Sequence, residues 1–154
     1  MNKRILETKV IETFSPEETF SVAHLFGQKV QAGEFYTLDG DLGVGKTVFA
    51  QGFAKGLGIR ESVSSPTFTI LQIYENGRLP LYHFDVYRIA EPEEMEEIGY
   101  EDYFYGKGIC LVEWASKIEE ILPETYHAIT IEKDMDKGFD YRKITIKKLD
   151  RSVA

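Results

Sequence analysis

The chain has 154 residues, 43% of them hydrophobic and 29% charged, which is enough apolar material for one globular domain with a buried core. It holds no run of about 18 apolar residues, which excludes a membrane span, and we expect no signal peptide because the N-terminus lacks an apolar segment. Its formal net charge of −8 argues against tight, unaided binding to nucleic acid.

The first third of the chain predicts a helix, a strand and a second helix. An N-cap serine, a first-turn proline and a capping-box glutamate stand together in residues 15–18, so we predict a helix from there to about Gln31. Residues 34–38 then predict a strand that enters a glycine-rich loop, and the second helix follows over residues 46–56.

The middle of the chain predicts an antiparallel hairpin followed by an acidic helix. The hairpin arms are predicted over residues 68–74 and 79–87, joined at Asn76-Gly77, a pair that favours the positive φ angles of a tight turn. The acidic helix is predicted over residues 91–98, with its carboxylates near the helix N-terminus.

The last third predicts three strands and a short helix. Residues 109–113 are continuously apolar up to the final glutamate and predict a strand buried on both faces. Cys110 lies in this strand, where we expect a buried side chain rather than a reactive thiol. A short helix is predicted over 116–121, and strands over 128–133 and 141–149.

Taken together, these elements predict a three-layer α/β domain with a mixed central sheet. We expect one domain over residues 1–154, because no linker or composition break divides the chain. A lone cysteine allows no disulfide within the chain, which suits a reducing cytoplasm, and we therefore expect a cytoplasmic protein.

The strongest motif is the glycine-rich loop over residues 40–47, which matches the pattern G-x-x-x-x-G-K-[ST] in full between a strand and a helix. Such a loop turns backbone N–H groups toward phosphate oxygens, while its lysine reaches the β- and γ-phosphates and its final hydroxyl binds Mg²⁺. The sequence therefore predicts a P-loop NTPase-like fold that binds a nucleoside triphosphate. The residues predicted to surround the phosphates are Asp41, Leu42, Gly43, Val44, Gly45, Lys46 and Thr47.

A P-loop site also needs a carboxylate near the metal, and two are available. Glu113 ends the apolar strand 109–113, and Asp85 ends a less apolar one. Either could bind Mg²⁺ directly while the other orients the attacking water or a metal-bound water. Asp41 could approach the γ-phosphate or only stabilise the turn, and Thr67 could belong to a nucleotide-sensing loop or to a simple turn.

Four motifs in this order are together typical of one family. They are Gly40-Asp41-Leu42-Gly43-Val44-Gly45-Lys46-Thr47, Ser65-Pro66-Thr67-Phe68, His83-Phe84-Asp85-Val86-Tyr87-Arg88 and Glu113-Trp114. On these residues the chain resembles the TsaE family, formerly called YjeE-type ATPases, from about Ser15 to Lys148.

The resemblance implies an ATPase required for bacterial synthesis of N6-threonylcarbamoyladenosine (t6A) beside the anticodon of tRNAs reading ANN codons. It implies ATP and Mg²⁺ as cofactors and the TsaD–TsaB heterodimer as partner, with tRNA held only through those partners. Carried over by motif, Lys46, Asp85 and Glu113 are catalytic, and Thr47 and Glu113 bind Mg²⁺ with Asp85 in support. Thr19 and the turn around Lys137 are expected to approach the adenosine end.

Three other functions can be weighed against this interpretation. A GTPase needs a base-reading motif such as Asn-Lys-x-Asp, which the sequence lacks. A small-molecule kinase usually closes an arginine-rich lid over the phosphates, and no arginine cluster occurs here. An ATP-binding module without turnover of its own stays open, because a partner could complete the catalytic group.

Overall fold

Seven strands form one mixed sheet in the computed structural model, which describes residues 3–41 and 43–152. In chain order the strands are β1 Arg4–Thr13, β2 Phe35–Asp39, β3 Leu71–Tyr74, β4 Leu81–Asp85, β5 Ile109–Glu113, β6 Thr125–Glu132 and β7 Arg142–Asp150. Their order across the sheet is β1-β7-β6-β2-β5-β4-β3. The four central strands β6, β2, β5 and β4 run parallel, and antiparallel pairs close both sides.

Helices cover both faces of this sheet, so the predicted three-layer arrangement is present. The α-helices are α1 Pro16–Lys29, α2 Lys46–Gly56, α3 Glu94–Ile98 and α4 Tyr100–Phe104, and 3₁₀ helices run over Ala115–Ile121 and Met135–Lys137. One core cluster joins α1 and α2 to one sheet face, and a second joins α3, α4 and the 3₁₀ helix Ala115–Ile121 to the other. No helix in the described residues is both long and apolar enough to cross a membrane.

The central strand β5 shows how the two cores are divided. All its residues are buried, and their side chains alternate between the layers. Leu111 belongs to the core beneath α1 and α2, whereas Cys110 and Val112 belong to the opposite core. Burial raises the pKa of the Cys110 thiol, so this cysteine stays protonated and packs as a small hydrophobic side chain, as expected.

Several predicted elements agree closely with the structure. The helix over 46–56 and the strand over 109–113 have the predicted bounds, and α1 ends two residues before the predicted Gln31. Ser15 caps α1 as its motif indicates, since its side chain accepts a hydrogen bond from the Glu18 backbone N–H at 3.1 Å. Strand β1 was not predicted, because its mostly exposed side chains show no alternation.

The predicted tight turn at Asn76-Gly77 is wrong. Neither residue has a positive φ angle, and the connection between β3 and β4 spans residues 75–80. The loop instead packs against the end of α2, where the Leu57 carbonyl accepts a hydrogen bond from Arg78 N at 2.6 Å. Gly77 is needed there because a Cβ atom would collide with the same carbonyl.

Two neighbouring predictions are also corrected by the structure. The first hairpin arm begins at Leu71 rather than residue 68, because residues 66–70 form a turn closed by a hydrogen bond from Ile70 N to Pro66 O at 2.8 Å. The acidic helix over 91–98 is shortened to α3. The side chain of Glu94, the first residue of α3, accepts hydrogen bonds from the backbone N–H groups of residues 90 and 91. The segment before α3 is therefore a turn.

The contact between α1 and α2 depends on glycine. At Gly27, Gly52 and Gly56 an added Cβ would lie far inside van der Waals contact with the backbone carbonyl of Phe53, Phe20 and His24 respectively. The two helix backbones therefore touch directly, without side chains between them. Because α2 begins at Lys46 of the glycine-rich loop, the contact between the two helices also fixes the position of that loop.

We expect Gly52→Ala to lower the free energy of unfolding by about 1–3 kcal/mol, the usual cost of overpacking a core. Helix propensity alone would favour alanine by about 1 kcal/mol. The sign of the change in unfolding free energy therefore shows whether the backbone contact or the helix propensity dominates. Urea denaturation measures the difference, with Lys55→Ala on the exposed side of α2 as the control. A Gly52→Ala protein more stable than the parent would contradict the direct backbone contact.

Candidate nucleotide-binding site

Three adjacent parallel strands each end in a carboxylate. Asp39 ends β2, Glu113 ends β5 and Asp85 ends β4, and these strands are neighbours in that order. Asp85 lies directly opposite Glu113 in the β4–β5 register. Ligands of open α/β sheets bind outside the carboxyl ends of the parallel strands, so this edge is where a site is expected.

The glycine-rich loop crosses the same edge. Gly43 and Gly45 have φ angles of 77° and 97°, the left-handed region that favours glycine. Gly45 is the N-cap of α2 and offers no side-chain cap, and a Cβ there would meet nothing within 4 Å. The first backbone N–H groups of α2 are thus left open toward the cavity, which is the arrangement that binds anions.

A cavity of about 600 Å³ lies between the loop and the strand ends. Its lining is Gly43, Gly45, Lys46, Thr47, Val48, Ser65, Thr67, Asp85, Tyr87, Glu113 and Trp114. The structure thereby brings together six of the residues that the sequence predicted for phosphate or metal binding, from three separate segments. Asp41 is exposed and does not line this cavity, and Leu42 lies outside the described residues.

Asp85 is held by a set of hydrogen bonds. Its Oδ2 accepts from Ser65 Oγ at 2.8 Å and from Thr67 Oγ1 at 3.4 Å, and its Oδ1 accepts from Tyr87 N at 3.0 Å. The carboxylate is 4% exposed, so these donors replace most of its hydration. Asp85 therefore anchors the loop that carries Ser65, a residue whose role the sequence did not predict.

Glu113 has a different neighbour. Its Oε2 lies 2.8 Å from Nε2 of the fully buried His83, and Oε1 has no hydrogen bond among the described residues. Trp114 follows with a φ angle of 64°, a left-handed conformation that is rare for a bulky residue. This turn places the indole ring in the cavity wall beside the carboxylate.

Lys46 and Trp114 meet across the cavity. The Lys46 Nζ lies 4.9 Å from the centroid of the Trp114 ring, a cation–π contact. The ring of Tyr87 lies 4.7 Å from the same indole, and Lys117 Nζ lies 5.0 Å from the Tyr87 ring. Lys46 therefore contacts an aromatic face, and it forms no ion pair with a carboxylate of residues 3–41 or 43–152.

A second cavity of about 190 Å³ lies on the other side of the loop. Val44 and Thr19 both line it, and Arg142 connects it to the loop because its Nε donates to the Val44 carbonyl at 2.7 Å. Thr19 is buried and shares a 2.7 Å hydrogen bond with Thr13. Lys137 lies outside this cavity, with its Nζ 3.3 Å from a Glu12 carboxylate oxygen.

Comparison with known proteins agrees with this architecture. A family model described as "Threonylcarbamoyl adenosine biosynthesis protein TsaE" matches residues 13–144. The tRNA threonylcarbamoyladenosine biosynthesis protein TsaE of Bacillus subtilis (strain 168) is 51% identical over 133 residues, which cover 86% of this chain and 81% of the relative. The chain belongs to the TsaE family.

Two further relatives extend the comparison. The TsaE protein of Treponema pallidum (strain Nichols) is 43% identical over 117 residues, covering 76% of this chain and 84% of the relative. The crystal structure of Bacillus subtilis YdiB matches with a TM-score of 0.79 and 44% identity, covering 94% of this chain and 86% of that one. The predicted α/β, P-loop NTPase-like fold is confirmed, while the roles of individual TsaE-family residues stay predictions.

The donor set of this TsaE-family site suits magnesium. Thr47 offers a hydroxyl, and Asp85 and Glu113 offer carboxylates on the same cavity wall. Mg²⁺ prefers oxygen ligands and is usually bound through one or two carboxylates together with substrate phosphates and water. The residues present therefore fit the metal that the motif implies.

Asp39 is a charged neighbour of the site that the sequence did not predict. It is half-buried at the end of β2, and this burial raises the pKa of its carboxyl, an effect that the nearby Lys46 partly offsets. A carboxyl whose pKa is raised by folding stabilises the fold at pH values below its unfolded pKa. That contribution is lost as pH rises through the folded pKa.

We expect Asp39→Asn to raise the free energy of unfolding at pH 7.5, because the variant has no buried carboxylate to ionise. The advantage over the parent should shrink below about pH 4, where the unfolded carboxyl is also protonated. Urea denaturation at pH 7.5 and below about pH 4 measures the stability difference between variant and parent, with Asp41→Asn at an exposed position as the control. An equal effect at both pH values would show that the cause is not ionisation.

Proposed function

We propose that this chain is a Mg²⁺-dependent ATPase that serves t6A synthesis by acting on a TsaD–TsaB complex. The family assignment carries the pathway, since the matching proteins are named for threonylcarbamoyladenosine biosynthesis. One observation carries the chemistry. Lys46, Thr47 and the two carboxylates Asp85 and Glu113 line a single cavity at the uncapped N-terminus of an eleven-residue helix.

In this proposal the phosphates of ATP bind against the backbone N–H groups of the loop and of the first turn of α2. Lys46 would move from the face of the Trp114 ring to the β- and γ-phosphates of ATP. The phosphates carry full negative charges, which attract the ammonium group more strongly than the aromatic ring does. Thr47 and Glu113 would hold Mg²⁺, which, when bound, neutralises charge that develops on the phosphates.

The hydrogen bonds divide the roles of the two carboxylates. Both oxygens of Asp85 already accept hydrogen bonds, whereas one oxygen of Glu113 is without a hydrogen-bond donor among the described residues. We therefore assign direct metal binding to Glu113. Asp85 orients water or a metal-bound water and links that position to the Ser65–Thr67 loop.

The charge of the molecule supports indirect contact with tRNA. A net charge of −8 gives little affinity for a phosphate backbone, so TsaD and TsaB would hold the tRNA and this chain would act on them. We propose that it does so in the cytoplasm. The adenosine of ATP would extend toward the smaller cavity beside Thr19, which adjoins the same loop.

Lys46→Ala should weaken ATP binding at least about tenfold, because charge-assisted hydrogen bonds to phosphate are worth roughly 1.5–3 kcal/mol each. Isothermal titration calorimetry with ATP and Mg²⁺ measures the dissociation constant. Lys55→Ala, which removes an exposed lysine from the last turn of the same helix, is the matched control. If Lys46→Ala binds ATP like Lys55→Ala, the loop is not the phosphate site.

The pathway is tested in cells by depleting this protein and measuring t6A in total tRNA by nucleoside analysis. We expect t6A to fall, to return with the wild-type gene or Lys55→Ala, and to stay low with Lys46→Ala. Undiminished t6A after depletion would refute the pathway while leaving ATP binding intact. Recovery of t6A with Lys46→Ala would show that the role in the pathway does not depend on nucleotide binding at this loop.

A further inference from the structure

A histidine interrupts an apolar row beneath the site. Along β4, Leu81, His83 and Asp85 point to the sheet face that α2 covers, because alternate residues of a strand share a face. The residues of β5 directly opposite Leu81 and His83 are Ile109 and Leu111, and with Leu81 they belong to the core beneath α1 and α2. His83 is 0% exposed, so a leucine there would pack without any cost of burying polar atoms.

The hydrogen bonding of His83 is directed at one group. Its Nε2 lies 2.8 Å from Glu113 Oε2, and its buried Nδ1 has no hydrogen-bond partner in the described part of the chain. Because a carboxylate only accepts hydrogen bonds, Nε2 is the donor in this contact. The fold thus leaves one ring nitrogen unsatisfied, at a cost, to keep a single hydrogen bond to Glu113.

We propose that His83 is a positioning residue that fixes the Glu113 carboxylate for the Mg²⁺ of the bound nucleotide. This rests on the proposed function, which makes Glu113 a metal ligand. A free glutamate side chain rotates about several bonds, and a ligand that is already ordered loses less entropy when metal binds. By holding Oε2, His83 leaves Oε1 as the oxygen with no hydrogen bond among the described residues.

The size of the expected effect follows from comparable sites. Hydrogen-bond partners of metal ligands typically change metal affinity by about 10- to 100-fold when they are removed. A histidine with only a structural role would instead change the stability of the protein, and would affect nucleotide binding equally with and without metal. The dependence on Mg²⁺ is therefore the property to measure.

Two substitutions separate these roles. His83→Gln places an amide N–H near the position of Nε2, whereas His83→Asn places one near Nδ1, too short to reach Glu113. Both keep a polar side chain in the core. His83→Leu, which matches the neighbouring Leu81 and Leu111, removes the donor while keeping the position apolar.

The experiment titrates Mg²⁺ into each purified protein with N-methylanthraniloyl-ADP and follows fluorescence anisotropy, so hydrolysis plays no part. We expect the Mg²⁺ concentration at half-effect to rise about tenfold or more in His83→Asn and His83→Leu and to change much less in His83→Gln. Nucleotide affinity in EDTA should be the same in all of them. His127→Asn, in the half-buried ring that stacks on Tyr36, is the control histidine.

Urea denaturation of each variant completes the test. An unchanged Mg²⁺ requirement in folded His83→Asn or His83→Leu would overturn the proposal, as would a parallel loss of nucleotide affinity in EDTA. If neither variant folds, His83 is a core residue and the proposal also fails. A wild-type protein that binds no nucleotide at all would refute the proposed function itself, which is a distinct result.

Discussion

The site is organised around charges that the fold forces together. Three neighbouring strands end in Asp39, Glu113 and Asp85, and carboxylates at such spacing repel one another in a partly buried edge. The compensating charges are the partial positive end of α2 and the ammonium of Lys46. A bound nucleotide would add further negative charge here, and the oxygen donors that a divalent cation would use line the same cavity.

The protein stabilises this crowded edge by giving each buried carboxylate its own donors. Asp85 receives two hydroxyls and a backbone N–H, while Glu113 receives a histidine. Asp39 accepts no side-chain hydrogen bond within residues 3–41 and 43–152, and burial raises the pKa of its carboxyl. The three groups therefore differ in their hydrogen-bond donors, although each stands at the end of its strand.

Much of this could be predicted from the sequence, because the loop motif and the apolar strands are local patterns. The loop motif leads directly into a helix over residues 46–56, and residues 109–113 form a short apolar run, so α2 and β5 were predicted with their bounds. Strand β1 has no such pattern and is defined by backbone pairing with the distant β7. The sequence places His83 in one of the four motifs but predicts no role for its side chain. The sequence does show a polar residue at an inward-facing position of an otherwise apolar strand. That observation points to a role only when the structure shows Glu113 beside His83.

The two walls of the main cavity are fixed in different ways. On one side α2 touches α1 through direct backbone contact at glycines, and the glycine-rich loop leads into this helix. On the other side the Ser65–Thr67 loop reaches the site through hydrogen bonds to Asp85, and Trp114 reaches it through a strained turn directly after Glu113. Asp85 thus also holds the loop that lines this wall, and Glu113 directly precedes the residue whose ring lines it.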